Sequence, residues 1–532
     1  MHYRLHQRGW DYLIIGAGSA GAVLAARLAQ NPAVRVLLLE AGGTDRCPSV
    51  RIPGLVEEAL SNPRLTWSYA GEPDPSLDGR SLRWRAGRVI GGSSSINGMV
   101  YGRGLPLDYQ RWESAGNVGW GWQEMLPYFK RMEDWSGAPH PARGAGGPLR
   151  VRRFEQPHPA CELAMEALVA RGVPAVEDYS IGIAEGVGLT QATQHRGMRH
   201  SVSDAYLRPA SSRANLGIMT RTRALKLLLN RSRCLGVRVE QRGVTSDLFA
   251  ECATIVCAGT FGSPLLLQRS GIGSPSLLET HGIGVVHELP GVGEHLNEHV
   301  NIRVSAAVAC RTYNSERRGW RRMLNTARLL AMRSGPGSSP ANHIQAFVRT
   351  APEESSADVQ LQIMPIGFGT REQMVSDGIT VVASLCHPTS RGSVRLRSAN
   401  PSEPPRIAIS LLQDPGDRER LLRGCRWAET ALREGPLRHL GGSLCAPEAA
   451  CRTDAEWLQF MRATAALNWH PTSTCRMGSG PEDVVDRQLR VHGIDRLRVV
   501  DASVMPTITS ANTHIPVVAI AERVAHWLAQ DH

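Results

Sequence analysis

The sequence predicts an α/β domain built on a parallel sheet, joined to a second, α+β domain that carries an antiparallel sheet. Three observations point there. A strand, a glycine turn and a helix follow one another in "DYLIIGAGSAGAVLAARL", Asp11 to Leu28. A second apolar run, "VRVLLLE", comes next and ends in Glu40. Farther along, "VQLQIMP", "GITVVASLCHP" and "GSVRLRS" read as strands of an antiparallel sheet covering a pocket.

The first unit can be justified residue by residue. Leu13 to Ile15 is a short apolar run, suited to a parallel strand buried on both faces. Gly16, Gly18 and Gly21 make G-x-G-x-x-G, with Ser19 and Ala20 inside the turn. The first glycine permits a tight turn, the second lets backbone approach a pyrophosphate, and the third lets helix pack on strand. The helix N-terminus then offers free N–H groups to phosphate. Glu40 lies about 20 residues on, where a carboxylate would take ribose hydroxyls. Its charge suits the unphosphorylated ribose of FAD or NAD better than that of NADP. A second backbone-rich stretch, "GRVIGGSSSINGMVYGRGLPLDY", runs from Gly87 to Tyr109. A larger cofactor held along its length by main chain would need it; a plain NAD enzyme would not. On local chemistry alone it is equally an ordinary glycine-serine loop.

Composition sets the bounds. A chain of 532 residues, 42% hydrophobic and 20% charged, is long and apolar enough for two or more cores, which excludes a largely disordered protein. The net charge of +11 suits an anionic cofactor or an acidic membrane surface. Lys and Arg are spread out and no nucleic-acid-binding motif is present, so no nucleic-acid partner is expected. The 11 cysteines are scattered without a C-x-x-C pair, which argues against a disulfide framework or structural zinc and for a reducing, cytoplasmic setting. "MHYRLHQRGW" has no apolar core, so no secretory signal is expected, and no apolar run is long enough for a spanning helix.

Two further stretches complete the pattern: "GTFGSPLLLQRSGIG" (Gly259 to Gly273), and "NWHPTSTCRMG" (Asn468 to Gly478) followed by "VVDASVMPTITSANTHIPVVAIAERVA" (Val499 to Ala525). With the serine-rich stretch they resemble, in order, the signature and C-terminal segments of the glucose-methanol-choline (GMC) flavin oxidoreductases. "GLPLDYQRW", "GWGWQEMLPYF" and the tail are similar to the bacterial branch that holds 5-(hydroxymethyl)furfural oxidase, pyridoxine oxidase and choline dehydrogenase.

The resemblance implies an FAD-binding Rossmann-like domain at 1–159, 200–300 and 460–532, and a substrate domain at 160–199 and 301–459. Besides the first glycine turn and Glu40, it implies cofactor contacts from Ala41, Arg88, Gly91, Gly92 and Ser93. Asn97, Gly98, Met99 and Val100 follow in the same stretch, then Ala224, Ala258, Asp501, Ala502, Asn512 and Thr513. Some members carry a histidine, linked covalently to the flavin, where this chain has Ile96, so FAD is expected to be non-covalent. The implied activity is oxidation of a primary alcohol to an aldehyde, with electrons passed to oxygen or a quinone-type acceptor. His470 would be the base, since imidazole titrates nearest neutrality, and Asn512 would orient the substrate oxygen. Trp469 and His514 are further pocket candidates, His514 because it lies two residues past Asn512 on a segment read as extended. A redox-neutral cyanohydrin-type lyase on the same scaffold, or a non-catalytic flavoprotein, are the alternatives.

Three stretches carry competing readings. "HLNEH", His295 to His299, matches the zinc pattern H-x-x-E-H, but its lead-in reads as a loop, so a structural role is expected and no metal. "RRGWRRMLNTARLLAMRSGPGSS", Arg317 to Ser339, reads as a basic amphipathic helix with either a solvated basic face or a face for an anionic membrane. "SGAPHPARGAGGPLR", Ser136 to Arg150, reads as a loop able to serve as a lid.

Overall fold

A computed structural model describes residues 9–370, 373–375, 377–441, 443–448 and 451–530. Residues 1–8 of the stretch read for a secretory signal lie outside them. The apolar run of the first motif forms β1 (Trp10–Ile15), which the glycine turn joins to α1 (Gly21–Leu28). A Cβ on Gly21 would collide with the carbonyl oxygen of Gly16, so glycine is required for α1 to leave β1 at this angle. β1 pairs in parallel with β2 (Val36–Leu39), and β2 pairs in parallel with β3 (Leu216–Met219).

An antiparallel meander completes the sheet: β4 (Thr222–Asn230), β5 (Arg233–Gln241) and β6 (Val244–Val256). Arg242 and Gly243 both have positive φ, the backbone that a two-residue hairpin between β5 and β6 needs. β6 is long enough to serve twice. Its first half pairs with β5, and its second half pairs in parallel with β1 and with the short strand Leu497–Val499. α2 (Gly259–Arg269) leaves the end of β6 at Gly259.

The second sheet is antiparallel throughout. Its strands include β7 (Val300–Ala307), β8 (Ile344–Val348), β9 (Val359–Met364) and β10 (Gly378–Leu385), in the order β7-β10-β9-β8. Between β7 and β8 lies α3 (Gly319–Met332), the basic helix read from the sequence. One face of the sheet is covered by α4 (Pro415–Arg433), whose Asp414 side chain caps the Asp417 N–H at 2.8 Å. α4 buries Leu421, Cys425 and Ala428, and a methyl on its Gly424 would come within 2.9 Å of Val359. The other face looks onto a cleft and presents Asn301, Arg303, Gln362, Met364 and Val382. The chain ends in α5 (His514–Gln530), which is apolar on nearly every side and packs on α1.

Two expectations are corrected. The "GSVRLRS" strand, β11 (Gly392–Arg395), does not join the large sheet; it pairs with Arg406–Ile409. Just before it, the N–H groups of Thr389 and Ser390 donate to the buried Asp417 carboxylate, which turns the chain away. The stretch Ser136 to Arg150 is not built as a lid. Arg143 is buried within it and bridges Glu133 (2.5 Å) and Asp178 (2.7 Å), while Glu133 also bridges Arg103 (2.6 Å). Freeing this loop would strand buried charges.

All 11 cysteines are free. Among the described residues no helix is long and apolar enough to cross a membrane.

Candidate active site

The stretch Asn468 to Gly478 is polar because it is a buried connector. Thr472 exchanges backbone hydrogen bonds with Asn297 (2.9 and 3.2 Å). Thr474 Oγ1 donates to the Thr260 carbonyl at 2.7 Å, and Thr260 Oγ1 to the Pro471 carbonyl at 2.6 Å. Cys475 N–H donates to the Ser503 carbonyl. The small hydroxyl residues thus tie one loop to α2, to the "HLNEH" segment and to the Asp501 segment, and this fixes His470.

His470 opens on a cleft of about 1320 Å3 between the two sheets. Its backbone N–H donates to the Glu298 carboxylate (2.8 and 3.0 Å). Its Nδ1 lies 2.9 Å from His299 Nδ1, and its Nε2 lies 2.9 Å from Asn512 Nδ2. The partners decide the tautomers. His299 Nε2 faces the Cys386 carbonyl at 3.2 Å, which only accepts, so this nitrogen carries a proton. Neutral His299 then accepts at Nδ1 from His470 Nδ1–H, and the lone pair of His470 is left on Nε2, beside Asn512. Burial, and then His299 alongside, hold the His470 pKa well below 6.5. Burial lowers His299 to about 4 and lifts Glu298 to about 8. Asn512 Oδ1 is buried and has no partner among the described residues.

Trp469 adopts a positive φ of 56° and donates through Nε1 to the Arg83 carbonyl (3.2 Å), with the Arg85 guanidinium 5.5 Å above its ring. It lines the cleft beside His470.

The same cleft continues to the two glycine stretches. Gly16, Gly18, Ser19 and Ala20 line it from one side, and Gly92, Ser93, Asn97, Gly98, Met99 and Val100 from the other. Gly92 has a φ of +54°, and a Cβ there would lie 2.6 Å from Gly18 Cα, so the two loops meet backbone to backbone. Glu40 accepts from the N–H groups of Ala17 (3.0 Å) and Gly42 (2.7 Å), and burial raises its pKa to about 7. Ala41, Ala224, Ala258, Asp501, Ala502 and Thr513 also line the cleft. Asp501 accepts from Gly259 N–H (2.9 Å), Ser263 Oγ (2.6 Å) and Ser503 N–H (2.8 Å).

Three candidate cofactor residues stand behind the wall. Gly21 packs under Gly16, Gly91 N–H donates to the Ala17 carbonyl, and the Arg88 guanidinium lies 4.4 Å over the Trp67 ring. His514 lines the cleft but is not paired with Asn512. α5 begins at His514, so the segment is not extended, and Nδ1 of His514 contacts Ser19 Oγ at 2.9 Å. The "HLNEH" segment is not helical: His295 has a φ of +62° and meets Glu482, whereas His299 meets His470.

A family model described as GMC oxidoreductase matches residues 10–301, and a second with that description matches residues 388–521. The chain belongs to the GMC oxidoreductases. Over 522 residues this oxidoreductase is 37% identical to an oxygen-dependent choline dehydrogenase of Sinorhizobium medicae, covering 97% of this chain and 94% of that one. It is also 37% identical over 529 residues to the mitochondrial choline dehydrogenase of Homo sapiens, covering 97% and 89%. Pyridoxine 4-oxidase from Mesorbium loti superposes with a TM-score of 0.89 at 30% identity, covering 98% of this chain and 100% of that one. A formate oxidase superposes with a TM-score of 0.91 at 26% identity, covering 98% of each.

The cofactor of this GMC oxidoreductase is FAD, and the cleft fits it. Backbone lines the crossing of Gly18 and Gly92 where a side chain would intrude, and the Glu40 carboxyl also lines the cleft. Ile96 offers no atom for a covalent bond, so the cofactor is held non-covalently.

Sequence reasoning missed His299, Glu298 and Arg199. Arg199 is buried and donates to the Ser94 carbonyl (3.1 Å) and Asn97 Oδ1 (2.7 Å), clamping the second glycine stretch. The signal for the first two was present: "HLNEH" is as dense in polar residues and as free of period as the His470 stretch.

Proposed function

We propose that this oxidoreductase converts a primary alcohol to an aldehyde, with His470 as base and Asn512 orienting the substrate oxygen. The observation that carries this reading is the tautomer chain. It runs from the Cys386 carbonyl through His299 to His470 and leaves on His470 Nε2 a lone pair at the cleft, which accepts from Asn512 Nδ2–H until a substrate hydroxyl takes that place. An alcohol hydroxyl placed there donates to Nε2 and accepts from Asn512 Nδ2. Taking the hydroxyl proton builds charge on oxygen and eases departure of the carbon-bound hydrogen with its electron pair. The isoalloxazine ring of FAD supplies the acceptor for that pair. Electrons leave to oxygen or to a quinone-type acceptor.

The depressed His470 pKa has a definite consequence for pH dependence. Acid removes the lone pair, and a lowered pKa moves that loss to lower pH. Alcohol-driven flavin reduction should therefore stay flat as pH falls through 6.5 and decline only below it. A stopped-flow pH profile with its acid midpoint at or above 6.5 would contradict this assignment.

The substrate wall also discriminates. Among the described residues, the cleft-facing strands of the second sheet supply Asn301, Arg303, Gln362 and Met364 and no carboxylate. A quaternary ammonium would meet no opposite charge on that sheet face; the further carboxylates that line the cleft, Glu57, Glu58, Glu316 and Glu403, stand on other segments. Neutral furanic or benzylic alcohols should exceed choline in kcat/KM by roughly tenfold or more, the value of a site group matched to its substrate. A kcat/KM for choline at or above those alcohols would remove this reading of the wall.

A further inference from the structure

α3 turns its apolar side to solvent. Trp320, Met323, Leu324 and Leu330 are 62%, 74%, 57% and 64% exposed, left uncovered by the rest of the described chain. At helical spacing these four share one stripe with Ala327 and Ala331, while Leu329, on the opposite side, is buried against Gly337. A helix of a globular domain normally faces its apolar stripe inward, so this orientation is inverted. Arginines stand along one flank of the stripe: at helical spacing Arg321 and Arg328 border it, whereas Arg322 falls on the Leu329 side. Arg317, Arg318, Arg321, Arg322, Arg328 and Arg333 lie in or beside α3, and Glu316 is the one acidic residue from 316 to 333. Glu316 is engaged with Arg321 at 3.2 Å.

We propose that α3 docks this oxidoreductase on an anionic phospholipid bilayer, with the Trp320–Leu330 stripe in the acyl boundary and the arginines against headgroup phosphates. An in-plane amphipathic helix uses this combination of apolar stripe and basic rim. The charge also selects between occupants. A second copy laid stripe to stripe would set one arginine rim against the other, which like-charge repulsion opposes. The position gives the docking a purpose. Arg317, Arg318, Arg322, Asn325 and Leu329 also line the cleft, and Arg322, Asn325 and Leu329 lie on the side of α3 away from the stripe, so a docked α3 holds the cleft within about one helix diameter of the bilayer. A lipophilic acceptor of the quinone class would then have a short path to it. That use rests on the proposed oxidation; the docking itself does not.

The test is co-sedimentation of the FAD-loaded enzyme with vesicles of phosphatidylcholine alone, and of phosphatidylcholine with an equal part of phosphatidylglycerol. The expected result is binding to the anionic vesicles only, reversed by high salt, with a blue shift of tryptophan emission that Trp320→Phe removes. The double variant Leu324→Glu/Leu330→Glu, at exposed positions, should bind roughly tenfold less or weaker, as buried apolar area and charge both change. Its oxidation of a water-soluble alcohol with a water-soluble dye should match the wild type. Absence of that turnover in the wild type would sink the alcohol reading and leave the vesicle result standing. No binding to anionic vesicles, equal binding by the double variant, or a wild-type dimer that the double variant splits in light scattering would each overturn the proposal, the last naming a second copy as the occupant.

Discussion

His470→Ala should slow alcohol-driven flavin reduction by roughly a hundredfold to ten-thousandfold, the range for loss of a positioned general base. FAD content should not change. The His470 ring is held by His299 and Asn512, and the loop that carries it is held independently by Thr260, Thr472 and Thr474. Truncating the ring removes the lone pair without cutting those ties. Rapid-mixing kinetics under anaerobic conditions, alongside the flavin-to-protein absorbance ratio, reads both quantities at once. A variant that loses both would indicate a role in folding or cofactor retention.

The second large effect is expected at His299, which touches no substrate in this account and acts as a positioning residue. His299→Leu removes the acceptor for His470 Nδ1–H. The His470 proton is then free to sit on Nε2, the nitrogen that must stay bare. A wrong tautomer is costly even where geometry survives, and outer partners of a functional histidine typically matter by ~10–100-fold. We expect a loss of roughly a hundredfold in kcat with little change in KM. A shift in the acid limb separates this from mere loosening. His299 is the second cause, after burial, of the low His470 pKa, so its removal should move the limb toward higher pH. His299→Gln, which keeps an acceptor and a donor, should recover part of the rate. Equal losses in both variants with an unmoved limb would show that His299 only fills space.

The local parts of this molecule were legible in its sequence. G-x-G-x-x-G at Gly16–Gly21, the apolar run before it and Glu40 after β2 are set by turn chemistry and hydrophobic run length, and such signals span few residues. His470 and Asn512 were found by motif resemblance, and the structure brings them within 2.9 Å. What escaped depends on long-range closure. His299 and His470 are 171 positions apart, and the tautomer is set by a backbone carbonyl on a third segment, at Cys386. No spacing rule encodes such an arrangement. His514 lines the cleft, but not by way of an extended segment shared with Asn512: α5 starts at His514 and turns its ring to Ser19. α3 shows a different limit. Its period predicts an amphipathic helix, but period alone does not say which face the rest of the chain covers. β11 shows another: its alternation is that of a strand, while its partner is chosen by the turn that Asp417 holds.

The choline dehydrogenases among the relatives and the carboxylate-free sheet face pull toward different substrates. The conflict is informative, because identity over nearly the whole chain reflects the shared scaffold, and specificity lies in a few side chains on the cleft wall.

The most direct test of the central claim is anaerobic mixing of the yellow wild-type enzyme with furanic, benzylic and pyridine-type primary alcohols, followed by flavin absorbance. At least one class is expected to bleach the flavin, and His470→Ala to slow the bleaching at least a hundredfold, in line with loss of a general base. A flavin that dithionite reduces but that none of these alcohols bleaches would contradict that claim.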